Sequence, residues 1–130
     1  MQGTAHGEFH VTLTARPAGD SAAPLGRFLL AKRFEGGLEG TGVGEMLSAG
    51  DPSTGSGGYV ALEWFEGRLA DRTGRFALQH TGTLDRGQQA LEIAVVPGSG
   101  SDGLAGIAGT FELRIVAGRH EYALHYTLPD

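Results

Sequence analysis

The sequence contains no cysteine, which removes disulfide staples, thiolate metal ligation and thiol nucleophiles together. Stability then has to come from packing and hydrogen bonds. There is no run of eighteen apolar residues, and the first residues, MQGTAHGEF, lack the basic stretch followed by an apolar run that marks a secretory leader. The expectation is a cytoplasmic chain with no membrane partner. Basic residues are in deficit, 10 Lys and Arg against 15 Asp and Glu, for a formal charge of −5. Such a charge repels phosphate backbones at long range, so nucleic acid is not an expected partner. Sustained helical periodicity is absent too, since no window keeps its apolar residues on one helical face.

Glycine is what the chain has in excess, 23 of 130 residues, against an average of about 7%. It follows no triplet period, which excludes collagen, and instead punctuates short runs of alternating hydrophobicity. Eight strands are predicted at about residues 7–16, 27–35, 38–49, 59–67, 75–84, 88–96, 109–116 and 119–128. In the first, Phe9, Val11, Leu13 and Ala15 share one face. The stretch 17–26, with two prolines among small residues, breaks the pattern. The stretch 50–58, GDPSTGSGG, reads as a loop, either a flap or a plain solvent connection. Gly40, Gly42 and Gly44 leave one face of the third strand bare, which calls for sharp curvature or for bulky groups crowding that face. The length suits one domain. Eight strands joined mostly by short turns predict an all-β fold, a single antiparallel eight-stranded β-barrel, with an open sandwich as the alternative.

Two hairpins specify registers. Ala117 and Gly118 as a two-residue loop pair Val116 with Arg119, which puts Phe111, Leu113 and Ile115 on one face with Tyr122, Leu124 and Tyr126. The turn DRTG at 71–74, read with Arg72 and Thr73 as its loop, pairs Phe65 with His80 and Glu63 with Gly82. One face then carries Tyr59, Ala61, Glu63, Phe65, Phe76, Leu78 and His80, with Glu63 and His80 as diagonal neighbours among aromatics. A buried carboxylate needs a partner; desolvation raises its pKa and a charged imidazole lowers it. The pair is a candidate acid/base couple, or else a polar brace in the barrel. A three-residue loop would instead put Gln79 and Thr81 beside Glu63.

Other chemistries find no convergent residues. His6, His10, His80, His120 and His125 are the available imidazoles, but four-residue spacing in a strand separates His6 from His10 by ~13 Å. No metal or other cofactor is expected. No Gly-x-Ser-x-Gly elbow occurs, and GSGSDG at 98–103 is followed by neither a lysine nor a predicted helix, so it reads as a glycine-rich turn.

Four stretches together resemble an uncharacterised bacterial family catalogued as domain of unknown function 3224: FEGGLEGTGVGEML at 34–47, GYVALEWFEGRL at 58–69, FALQHTGTLDRG at 76–87 and VVPGSGSDGLAGIAGTFEL at 95–113. That family is similar in fold to the eight-stranded barrels of allene oxide cyclases, and the last stretch resembles the glycine-rich segment of cyclase-like and dirigent barrels. The resemblance implies architecture first, because function lives in a site rather than a fold. It also implies association into an oligomer. None of the plant cyclases' binding residues is carried over to this sequence.

Three functions are compatible with these readings. The first is a barrel holding a small, largely apolar organic ligand, with Tyr59, Glu63, Phe65, Phe76, Gln79 and His80 as lining candidates. The second is a cofactor-free cyclase or isomerase in which Glu63 or His80 moves a proton. The third is a filled barrel serving as a structural or interaction module.

Overall fold

A computed structural model describes residues 1–17 and 23–130. Among the described residues nine strands are seen: β1 (Gln2–Arg16), β2 (Gly26–Gly36), β3 (Leu38–Asp51), β4 (Ser56–Leu69), β5 (Arg72–Asp85), β6 (Gln88–Val95), the two-residue β7 (Ser101–Asp102), β8 (Ala108–Val116) and β9 (Arg119–Thr127). Eight of them close an antiparallel up-and-down barrel in the order β4-β3-β2-β1-β9-β8-β6-β5, with β5 pairing back onto β4. All eight predicted strands are present and mostly longer than their apolar alternation, because ladder hydrogen bonds continue through glycine and polar residues. The predicted break at 17–26 falls partly outside the described residues.

Three predicted features come out differently. The expected loop at 50–58 is mostly ladder: Gly50 pairs with Gly57 and Asp51 with Ser56. The turn shrinks to a short 3-10 segment (Pro52–Thr54), where Asp51 accepts a 3.0 Å hydrogen bond from the Ser53 amide and Gly55 closes it at φ 86°. The β4–β5 turn uses Ala70 and Asp71 rather than Arg72 and Thr73, so Phe65 faces Phe76, Glu63 faces Leu78, and His80 faces Ala61. Ala70 accepts a φ of 57° to make this turn, while the register gains Phe65 packed against Phe76 at 5.0 Å between ring centroids and a buried Leu69. The offset from the predicted register is an even number of residues, so every side chain keeps its predicted face and changes only its partner. The stretch 98–103 is more than a turn. It leads through β7, which pairs with Gly74 and Arg75, into a segment whose Leu104 and Ile107 plug one end of the barrel.

The β8–β9 hairpin has the predicted register throughout, from Val116 opposite Arg119 to Phe111 opposite Leu124. Ala117 at φ 52° and Gly118 at φ 80° supply the two left-handed residues that a twisted hairpin demands.

The interior divides into two halves. At the plugged end Phe9, Phe34, Phe65, Phe76, Phe111 and Tyr122 form a continuous aromatic cluster with ring centroids 5.0 to 6.3 Å apart. The Tyr122 hydroxyl is buried among backbone groups, accepting from the Leu38 amide at 2.8 Å and donating to the Glu35 carbonyl at 2.7 Å. Burial pushes its pKa up, and the nearby Glu39 charge adds to this against the Leu38 hydrogen bond. Toward the other end the inward faces thin out: Leu13 is 51% exposed and Ile115 65% exposed although both lie on inward rows. The barrel is packed at one end and open at the other.

Candidate functional site

Between the two halves lies a cluster of charged groups. Among the described residues the buried polar side chains are Lys32, Glu63 and His80, at 9%, 1% and 5% exposure. Glu63 projects inward from β4 and His80 from β5, diagonal across their ladder as the sequence predicts, and His80 Nε2 lies 2.5 Å from Glu63 Oε1. Lys32 comes from β2, two strands round from β4, and its Nζ also reaches Glu63 Oε1, at 2.8 Å. It crosses β3 to do so at the bare glycine face. A Cβ on Gly42 would lie 2.8 Å from Glu63 Oε2 and 3.6 Å from Lys32 Cβ, and one on Gly44 would collide with the Glu63 backbone at 2.7 Å. The glycine strip therefore makes room for an ion pair, the crowding of that face by bulky groups that its spacing implies.

The electrostatics follow from this geometry. Burial alone pushes the Glu63 carboxyl up, but the hydrogen bond with His80 and the charge of Lys32 outweigh it, and the carboxyl lies below its ordinary value of 4.5. An ionised carboxylate only accepts, so the hydrogen in the Glu63–His80 bond sits on Nε2 and Nδ1 faces away from the pair. Lys32 Nζ also rests 4.5 Å from the centre of the Phe9 ring, a cation–π contact that helps offset desolvation. Glu63 Oε2 is buried with no hydrogen-bond partner among the described residues.

The lowered carboxyl pKa has a consequence for stability. As pH falls through 4.5 the unfolded chain takes up a proton at Glu63 before the folded one does. The stabilisation is complete above that range and is lost as pH falls toward the folded value. Melting curves between neutral and acid pH should show a steeper fall for the wild type than for Glu63→Gln below about pH 4.5. Parallel curves for the two proteins would mean that Glu63 titrates alike in both states.

Above the cluster, the open half of the barrel forms a cup of about 480 Å3, lined chiefly by Phe28, Met46, Tyr59, Leu84, Leu91 and Leu113. Tyr59 connects the two regions. Its ring lines the cup, stands 6.4 Å from the His80 ring and lies against Gly82, where an added Cβ would come within 3 Å of it. Burial raises its hydroxyl pKa, and the Glu63 charge raises it further. The hydroxyl has no hydrogen-bond partner among the described residues.

The predicted lining residues thus separate. Tyr59 lines the cup. Glu63 and His80 sit one layer beneath it. Phe65 and Phe76 have no exposed surface and belong to the packed end, where the longer β4–β5 ladder places them opposite each other. Gln79 lies on the outside of the barrel, because the two-residue turn keeps even positions of β5 inward. Sequence reasoning missed Lys32, although a signal was present: it shares its strand face with Phe28, Leu30 and Phe34, opposite the glycine strip. Among the described residues no three His, Asp or Glu side chains converge as metal ligands. His125 instead contacts Glu112 and Thr4, and the His120 ring lies tilted against Phe9 at 5.1 Å. Among the described residues no helix is long and apolar enough to cross a membrane.

Fold and site define a small antiparallel β-barrel, packed at one end, cupped at the other, with a buried Lys–Glu–His cluster between. The chain belongs to the DUF3224 family, described as "Protein of unknown function", whose profile matches residues 5–126. The crystal structure of a DUF3224 protein of unknown function from Shewanella oneidensis MR-1 is similar over 100% of this chain and 99% of that one, with 40% identity and a TM-score of 0.91. No curated protein matches this chain.

Proposed function

We propose that this protein is a cytoplasmic binding barrel that takes a small, largely apolar organic molecule into its open half. The observation that carries this reading is the cup itself. Its 480 Å3 falls within the ~300 to 1,000 Å3 usual for ligand pockets, and its side-chain lining is mainly apolar, with one unpartnered phenol at its base. A barrel serving only as a structural module would be expected to fill that half as it fills the other. The ligand this lining suits is uncharged and carries one hydrogen-bonding group for the Tyr59 hydroxyl. Native mass spectrometry of freshly purified protein tests the proposal: a co-purified small molecule, lost or weakened about tenfold in Tyr59→Phe, supports it. A protein that carries nothing and takes up no member of a panel of uncharged apolar compounds overturns it.

The close Glu63–His80 hydrogen bond favours a second reading, a cofactor-free cyclase or isomerase of the allene oxide cyclase type. Glu63 would orient the ring and His80 Nδ1 would exchange a proton with a ligand admitted past Tyr59. In that case Glu63→Gln should lower turnover about tenfold or more, the scale of one charge-assisted hydrogen bond. Glu66→Gln, on the outward face of β4, should change little. Equal effects from the two substitutions would remove the dyad from consideration.

A further inference from the structure

The outer face of β2 to β5 is unusually apolar for a surface. Leu29, Val43, Leu47, Val60, Leu62 and Trp64 are each 39 to 59% exposed. The ladder makes them neighbours: Val43 lies opposite Trp64, Leu47 opposite Val60, and Leu29 and Leu62 lie on either side of Glu45. Together they leave on the order of 600 Å2 bare, the upper end for a monomer's largest patch and about three quarters of one partner's share of a standard protein interface. A shallow depression on this face is lined by Val43, Leu47, Val60, Leu62 and Trp64.

The charges on this face indicate what covers it. Each of its arginines is matched to a glutamate of the same chain: Arg27 to Glu45 at 3.0 Å, Arg33 to Glu35 at 3.4 Å, Arg68 to Glu39 at 2.6 Å and Arg75 to Glu66 at 3.8 Å. Arg75 also stands over the Trp64 ring at 5.1 Å. A face with internally balanced charge offers nothing to an anionic membrane, to nucleic acid or to a strongly charged protein. It suits a partner with the same apolar centre and the same balanced rim, in which a two-fold axis sets the two apolar centres together and the arginine of one copy near the glutamate of the other. We propose that the outer face of β2 to β5 is the interface of a homodimer. The cups of both copies stay outside this contact, so the assignment stands or falls separately from ligand binding.

Trp64 is the only tryptophan in the chain, so its fluorescence reports coverage of this face directly. Sedimentation velocity of the wild type should give twice the 13.5 kDa monomer mass, and dilution should shift the tryptophan emission to the red as the dimer parts. Leu62→Glu, at an outward position the fold does not bury, should weaken association at least about 30-fold, the size of a hot-spot loss. It should leave the circular dichroism spectrum unchanged. Thr110→Glu, at an exposed position of β8 on the far side of the barrel, should leave the dimer intact. A wild type that stays monomeric at high concentration overturns the proposal, as does a dimer whose mass and tryptophan emission are indifferent to Leu62→Glu. So does a monomer that instead sediments with neutral phosphatidylcholine vesicles, which would give the face to lipid.

Discussion

Replacing Lys32 by methionine is expected to cost about 3 to 5 kcal/mol of stability at neutral pH, because it strands an ionised carboxylate in the barrel interior. The side chain of Lys32 is 6% exposed and that of Glu63 fully enclosed, with Oε2 already lacking a partner. Water therefore cannot replace the lost ammonium without disturbing the packing. The informative comparison is the double substitution Lys32→Met with Glu63→Gln. The amide carries no charge yet can still accept from His80 Nε2, so at least half of the lost stability should return. Urea unfolding of the wild type, both single variants and the double variant measures this directly. A cost below about 1 kcal/mol for Lys32→Met would show that the pair behaves like a solvated surface bridge.

The second large effect concerns the two halves of the barrel. Phe65→Ala should cost about 3 to 5 kcal/mol, whereas Phe28→Ala should cost less than about 1.5. Phe65 has no exposed surface and packs between Phe34 at 5.4 Å and Phe76 at 5.0 Å, so its removal leaves a cavity that neighbouring strands cannot close. Phe28 is only half buried, at the rim of the cup, where truncation enlarges a space that is already open. The same unfolding measurements decide the matter. Equal costs at the two positions would mean that the interior is uniformly packed and the cup collapses in solution.

In the β4–β5 hairpin the inward face and the register have different origins. Period-two alternation placed Glu63 and His80 on one inward face correctly, since a register error of an even number of residues cannot move a side chain across the sheet. It could not choose among the even offsets. Arg72 and Thr73 looked like turn residues, but Ala70 and Asp71 turn the chain because this register brings Phe65 onto Phe76 and buries Leu69. In the β8–β9 hairpin, by contrast, Ala117 and Gly118 adopt the left-handed conformations that the turn requires, so local chemistry and core packing agree and the register was legible in advance. The loop expected from composition at 50–58 failed for a related reason. Glycines that suggest flexibility in isolation pair well enough in a ladder when the strands on both sides are already aligned.

By itself the sequence determined the class of fold, the eight strands of the barrel wall, the inward and outward faces, and the presence of a carboxylate and an imidazole inside. All of these depend on local alternation and turn chemistry. Only the tertiary structure decided that Lys32 completes the cluster, that the barrel is packed at one end and cupped at the other, and that Phe65 and Phe76 belong to the packed end. Each of these depends on closure of the barrel, which brings together strands distant in sequence and sets how deep in the lumen each inward side chain lies. Period two tells inside from outside, and carries no information about depth.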